Sequence, residues 1–223
     1  MGTITVGRII DRVEKVLLDE TNVQWTVAEL LDYFNAAMNF ICSKKPDTYI
    51  VDAALSLAAS SRQTLPAAGQ VLIDIIQNLG ANGTTPGESI RQIDRNHLDN
   101  ALPTWHTSTG AAVKHFTYDK REPKAFYVYP YVATTWNVRA VYGSIPPAVT
   151  VVGDTVPIDD TYEYILTYLV LSWAYSKNAK RGDVVKADWY MKQAMDCIEG
   201  KGTAQFAFSP MPPDVTTQSE GTR

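Results

Sequence analysis

The spacing of apolar residues changes period twice along this chain, and that double change limits the fold more than any single motif. Over residues 6–41 apolar side chains recur three or four positions apart: Val6, Ile9, Ile10, Val13, Val16 and Leu17, then Val27, Leu30, Leu31, Phe34, Met38 and Ile41. Because a helical turn takes about 3.6 residues, such spacing lines one face of a helix. Beyond Pro46 the period falls to two. Tyr49, Val51, Ala53, Leu55 and Leu57 alternate with their neighbours, as do Trp136, Val138, Ala140 and Tyr142, the pattern of strands with one buried face. Over 157–198 the helical period returns. Helix, strand and helix thus occupy separate stretches, which predicts an α+β fold: a four-helix bundle from the N- and C-terminal segments with a mostly antiparallel β-sheet inserted between them.

Local signals place the boundaries at a helical hairpin over 1–46, a β-rich domain over 47–150, a second helical hairpin over 151–200 and an extended C-terminal tail over 201–223. Thr26 and Glu29 have the spacing of a capping box. In the middle, 62–66 is expected to return as a short partner strand. Pro66-Ala67-Ala68-Gly69 reads as a turn, 71–79 as a central strand and 89–94 as another, with Asp94 capping a helix near 95–101. Strands at 113–118 and 125–129 flank Asp119-Lys120-Arg121-Glu122-Pro123-Lys124 as a hairpin, and 136–142 supplies a third. Asp159 or Asp160 caps the third helix, whose broad apolar face (Tyr162, Ile165, Leu166, Leu169, Val170, Trp173, Ala174) marks it as the central core element. Arg181-Gly182 is expected to stop it, and Asp183 to start a fourth helix with Val184, Ala187, Tyr190, Met191, Ala194, Met195 and Ile198 available for packing.

Composition narrows the function. With 223 residues, 45% of them hydrophobic, the chain can bury a substantial core. The net charge of -4 and scattered Lys and Arg give no basis for wrapping duplex nucleic acid. Cys42 and Cys197, both in helical stretches, are expected to be buried free thiols. No signal peptide is indicated, and the longest apolar run, 164–175, is broken by Thr167 and Ser172 and is well short of the ~20 residues that span a bilayer.

Catalytic patterns are missing. There is no Gly-x-Ser-x-Gly elbow; His97, His106 and His115 lack accompanying Cys ligands or a His-Glu-x-x-His helix; Gly80-Ala81-Asn82-Gly83 lacks the Lys and Ser or Thr of a phosphate loop. Asp159 and Asp160 read as caps rather than an acid/base pair. No enzyme, cofactor or metal site is expected, a phage hydrolase being the remote alternative. Phe116, Tyr118, Phe126, Tyr127, Tyr129 and Tyr131, with Lys114, Lys120, Arg121 and Lys124 nearby, raise single-stranded nucleic-acid binding as another, although aromatics facing each other in a hairpin are ordinary packing pairs. In the tail, Phe206, Phe208, Pro210, Met211, Pro212 and Pro213 are candidates for docking in a groove on another protein.

A series of segments, in order, resembles the head-to-tail adaptor proteins of tailed bacteriophages. It runs through Val23-Gln24-Trp25-Thr26-Val27-Ala28-Glu29-Leu30-Leu31-Asp32-Tyr33-Phe34-Asn35, Thr64-Leu65-Pro66-Ala67-Ala68-Gly69 and Ile93-Asp94-Arg95, then Pro103, Trp105 and His106, and Val113-Lys114-His115-Phe116. It continues through Asp119-Lys120-Arg121-Glu122-Pro123-Lys124-Ala125-Phe126-Tyr127-Val128-Tyr129-Pro130 to Pro157-Ile158-Asp159-Asp160-Thr161-Tyr162 and Tyr168-Leu169-Val170-Leu171-Ser172-Trp173-Ala174-Tyr175-Ser176-Lys177-Asn178-Ala179. The resemblance covers about 5–200. It implies a virion protein at the head-tail interface, assembled in the host cytoplasm, with neither cofactor nor catalytic residue. It also implies a homo-oligomeric ring, typically twelvefold, that joins the portal protein to tail or nozzle proteins and meets genomic DNA transiently in the channel, with no membrane partner.

Overall fold

The computed structural model describes residues 2–177 and 183–208, the side chains of 202–208 excepted. In chain order the elements are α1 (Val6–Leu17), α2 (Val27–Lys44), β1 (Ile50–Leu57), β2 (Arg62–Thr64), β3 (Gly69–Gly80), β4 (Arg91–Gln92), α3 (Arg95–Ala101), β5 (His115–Tyr118), β6 (Ala125–Tyr129), β7 (Trp136–Ser144), α4 (Glu163–Ser176) and α5 (Val184–Phe208). The chain is thus mixed, with helices at both ends of the sequence and strands between.

Two threonines open the first helices, Thr5 accepting from the Arg8 N–H and Thr26 from the Glu29 N–H. Only half of the expected capping box forms. The Glu29 carboxylate turns outward instead, accepting from the Tyr33 hydroxyl at 2.8 Å and the Lys177 ammonium at 2.6 Å. α4 is buried nearly all round, from Ile165 and Leu166 to Ala174, with α1, α2 and α5 packed against it. Its polar residues are satisfied internally: Thr167 donates to the Glu163 carbonyl and Ser172 to that of Ala187 on α5. The buried Glu163 carboxylate is matched by Arg8 at 3.1 Å and Arg12 at 3.0 Å, both from α1. α4 starts later and stops earlier than expected. Asp159 caps a 3₁₀ turn before it, Asp160 instead accepts from the backbone of Thr3 and Ile4, and the helix ends at Ser176. Arg181-Gly182 lies outside the described residues. Asp183 does cap α5, accepting from the Lys186 N–H.

The strands form two sheets rather than one, with orders β1-β7-β3 and β2-β6-β5-β4. β5 and β6 make the expected antiparallel hairpin, whereas β4 joins β5 in parallel. Several partners differ from expectation. β2 pairs with β6 instead of returning to β1, and β7, not β3, is the central strand of its sheet. β3 is an edge with register shifts after Gly69, Leu72, Ile75 and Asn78, so it coils strongly against a straighter β7. β5 begins at His115 rather than Val113, because the Asn78 side chain takes both the Val113 N–H and its carbonyl out of the ladder. A second core joins the sheets, built on Leu72, Ile75, Phe116, Phe126, Val128 and Val138.

Candidate interface

The residues with the clearest capacity for a partner lie at the C-terminal end of α4. α1 is closed by Leu18 in the left-handed region, φ 55° and ψ 41°. Its N–H donates to the Lys15 carbonyl and the next N–H, of Asp19, to the Glu14 carbonyl. Glycine normally holds this position, since a Cβ in the left-handed conformation costs about 1–2 kcal/mol. Asn22 is the other described non-glycine residue with positive φ, at 56°. Asp19 locks the loop between them: its nearly buried carboxylate accepts from the N–H groups of Val23 (3.1 Å), Gln24 (2.8 Å) and Trp25 (2.9 Å). The Trp25 ring is buried and donates to the Ala174 carbonyl of α4. The loop is therefore fixed from within while Leu18 and Val23 stand 79% and 83% exposed.

Other segments converge on the same end. Tyr175 donates its hydroxyl to the Val16 carbonyl and accepts at its own carbonyl from the Asp183 N–H, tying the first turn of α5 beside the loop. Lys177 bridges the Gln24 carbonyl and the Glu29 carboxylate, which holds Glu29 below the usual carboxylate range. On α5, Val184, Val185 and Trp189 are exposed. Leu18, Val23, Val184, Val185 and Trp189 are thus exposed apolar residues on segments tied to the C-terminal end of α4. Val16, expected in the core, is partly exposed here, and Val184 does not pack as expected.

The residues singled out from sequence fall elsewhere. The backbone at Phe206 and Phe208 continues α5, so 201–208 is helical rather than extended. Once a helix is anchored by packing, each further residue adds a hydrogen bond for one residue fixed. Lys201 strengthens the anchor, its ammonium lying 3.3 Å from the centroid of the Tyr162 ring. The side chains of Phe206 and Phe208, and all of Pro210, Met211, Pro212 and Pro213, lie outside the described residues.

The aromatic strand cluster is largely occupied by its own neighbours. Phe116 and Phe126 are core residues, and the fully buried Trp105 stands edge-on to Tyr127 and Tyr129 at 6.1 and 6.4 Å. Arg95 covers Tyr127, and His115 stacks on Tyr129. An open groove of about 790 Å³ remains beside them, lined by Asp94, Arg95, Tyr118, Lys120, Arg121 and Tyr127 among others. His106 faces the Ser61 hydroxyl at 3.1 Å, and among the described residues no cluster of His, Cys, Asp and Glu is placed to hold a metal ion. Cys42 is buried, which pushes its thiol up to about 11, but Cys197 is exposed, contrary to expectation. No helix among the described residues is long and apolar enough to cross a membrane.

Compared with known families, residues 4–211 match the model of the family described as SU10 adaptor protein. A search of curated proteins returned no match.

Proposed function

The chain belongs to the SU10 adaptor protein family, and from that premise we propose that it is the virion head-to-tail adaptor whose copies close into a twelvefold ring between the portal and the tail, lining the passage for DNA. An adaptor of this kind is structural, not catalytic. α1, α2, α4 and α5 act as a four-helix bundle that packs laterally in the ring, the sheets meet tail or nozzle components, and the segment bearing Phe206, Phe208 and 210–213 docks on the portal.

The observation that carries the reading is the apolar end around Leu18, Val23 and Val185. A single folded subunit gains nothing by holding aliphatic side chains in water on a strained, internally braced loop, whereas a subunit contact covers them. Engagement of Tyr127 and Tyr129 by Trp105, Arg95 and His115 weighs against the single-strand-binding alternative, which needs free ring faces. Electron microscopy of the protein mixed with portal rings is the test. A second ring stacked on the portal is expected, and its loss in a Leu18→Ser, Val23→Ser, Val185→Ser variant that keeps its fold. Unstacked portal rings, or stacking unchanged by the triple substitution, overturn the reading.

A further inference from the structure

The two sheets manage their edges unequally. β2 and β4 are edges of only three and two residues. β3 is bulged, and its later half is covered by the following segment through bonds such as Ile90 N–H to the Ile76 carbonyl. β1 is different: eight residues in regular antiparallel register with β7 and, among the described residues, no strand on its other side. The Ser144 N–H donates to the Tyr49 carbonyl, which sets the phase of the ladder. Odd-numbered residues of β1 therefore face β7, and the peptide groups of Ile50, Asp52, Ala54 and Ser56 point outward. The next outward residue, Ala58, is already capped, its N–H and carbonyl both bonded by the buried Gln63 amide at 2.7 and 2.9 Å. The open stretch thus runs over 50–56. It carries no Lys, Pro or bulge, its one charge, Asp52, is paired with Arg139 across the ladder, and Ile50 is half exposed. Such an edge is a template for another strand.

α5 passes close to the start of this edge. Lys201 of α5 sits over Tyr162, and the Tyr162 hydroxyl meets that of Thr48, two residues before β1, at 3.2 Å. From Lys201, α5 runs on for seven residues, roughly 10 Å, and a further 15 residues follow Phe208. Pro210, Pro212 and Pro213 suit a stiff spacer and not a ladder, whereas Asp214-Val215-Thr216-Thr217-Gln218-Ser219 is free of Pro and Gly and contains three β-branched residues in a row. Six residues in a strand span roughly 20 Å, the length from Ile50 to Ser56. A short tether also gives a segment of the same chain an effective concentration near the millimolar range, above that of any free competitor.

We propose that residues 214–219 add to the open edge of β1 in the same subunit as an extra strand. This goes beyond the portal-docking reading, which concerns Phe206 to Pro213, and does not depend on it. The occupant is recognised by backbone pairing, with the β-branched side chains lying along the Ile50 and Asp52 face or the Val51 and Ala53 face according to register.

Residue-resolved hydrogen exchange on the full chain tests the proposal, using Thr216→Pro to break the added strand and Thr222→Pro as control. The amides of Ile50, Asp52, Ala54 and Ser56 should exchange at least tenfold faster in Thr216→Pro than in the wild type or the control. Val51, Ala53 and Leu55, which face β7, should be unchanged, and protection should not vary with protein concentration. Equal rates in wild type and Thr216→Pro overturn the proposal, as does an effect that spreads to the odd-numbered amides or protection that rises with concentration, the sign of a neighbouring copy's strand. Portal binding is measured in parallel. Binding without edge protection overturns this inference alone, and edge protection without binding overturns only the docking reading.

Discussion

Replacing Asp19 by alanine tests whether the apolar end is held from within. The carboxylate receives three backbone N–H bonds, and two of them, from Gln24 and Trp25, are no longer than 2.9 Å. A bond to a charged group contributes about 1.5–3 kcal/mol, and a buried donor left without a partner costs about 1–3 kcal/mol. The Trp25 N–H is buried and cannot rehydrate, while that of Val23 is partly exposed and can. Counting Trp25 in full and the part-buried Gln24 and Val23 in part gives a loss of about 2–4 kcal/mol for Asp19→Ala. For a chain of this size that lowers the melting temperature by roughly 10 °C. Asp19→Asn should fall between, since its one amide oxygen can keep the Gln24 and Trp25 bonds while its NH₂ opposes the Val23 N–H. Urea unfolding followed by tryptophan fluorescence measures the series. An alanine variant within about 1 kcal/mol of wild type, or an asparagine variant no better than alanine, would refute the idea that Asp19 braces the loop.

Other outcomes follow from the same geometry. Leu18→Gly should raise stability by up to about 1 kcal/mol by relieving the left-handed strain, yet weaken stacking on the portal ring; urea titration and electron microscopy read the two effects separately. Asn78→Ala should cost about 3–5 kcal/mol in calorimetry, because Asn78 is buried and serves the Glu88 and Val113 carbonyls, the Val113 N–H and the Trp136 indole N–H. Glu29 is held below its ordinary value by Lys177, so its stabilisation is complete above about pH 4.5 and lost as pH falls through the lowered value; Lys177→Met should flatten that part of the stability profile. At pH 8 a thiol reagent should label Cys197 and leave Cys42 untouched until the protein unfolds, as mass spectrometry of peptides would show.

Much of the helical half was legible because helix formation is local. Thr5, Thr26, Asp94 and Asp183 act as caps within four residues of the groups they serve, and the burial of Ile9, Leu30, Phe34 and Leu169 follows directly from their spacing. Strand pairing is not local. The period of two marks β1, β3 and β7 equally and does not say that β7 lies between the other two, or that β2 belongs to a different sheet. The shortened β5 depends on Asn78, 35 residues away from Val113, and no pattern around Val113 reveals it. The half-formed capping box depends on Lys177, 148 residues beyond Glu29. The apolar end escaped notice for a related reason: Val16, Leu18 and Val184 sit in or beside amphipathic runs, where an aliphatic residue is ordinarily assigned to the core. One local clue was present, a leucine at the position after a helix where glycine is the usual residue.

That leucine bears on how the fold divides its stability. Left-handed Leu18 and left-handed Asn22 lie on either side of Asp19, whose three hydrogen bonds outweigh the roughly 1–2 kcal/mol that such a conformation costs the leucine, asparagine tolerating it at little cost. Strain and brace are therefore adjacent in a single loop, and neither is needed to close α1, since a glycine there would form the same two bonds to the Glu14 and Lys15 carbonyls without strain. What glycine lacks is the side chain. The bracing makes sense only if the direction of Leu18 and Val23 matters after folding, because a loose loop would bury as little and cost less. A partner that covers them meets side chains already set in place, so less conformational entropy is lost on contact, and affinity should depend on Asp19 although its carboxylate is directed at the loop's own backbone.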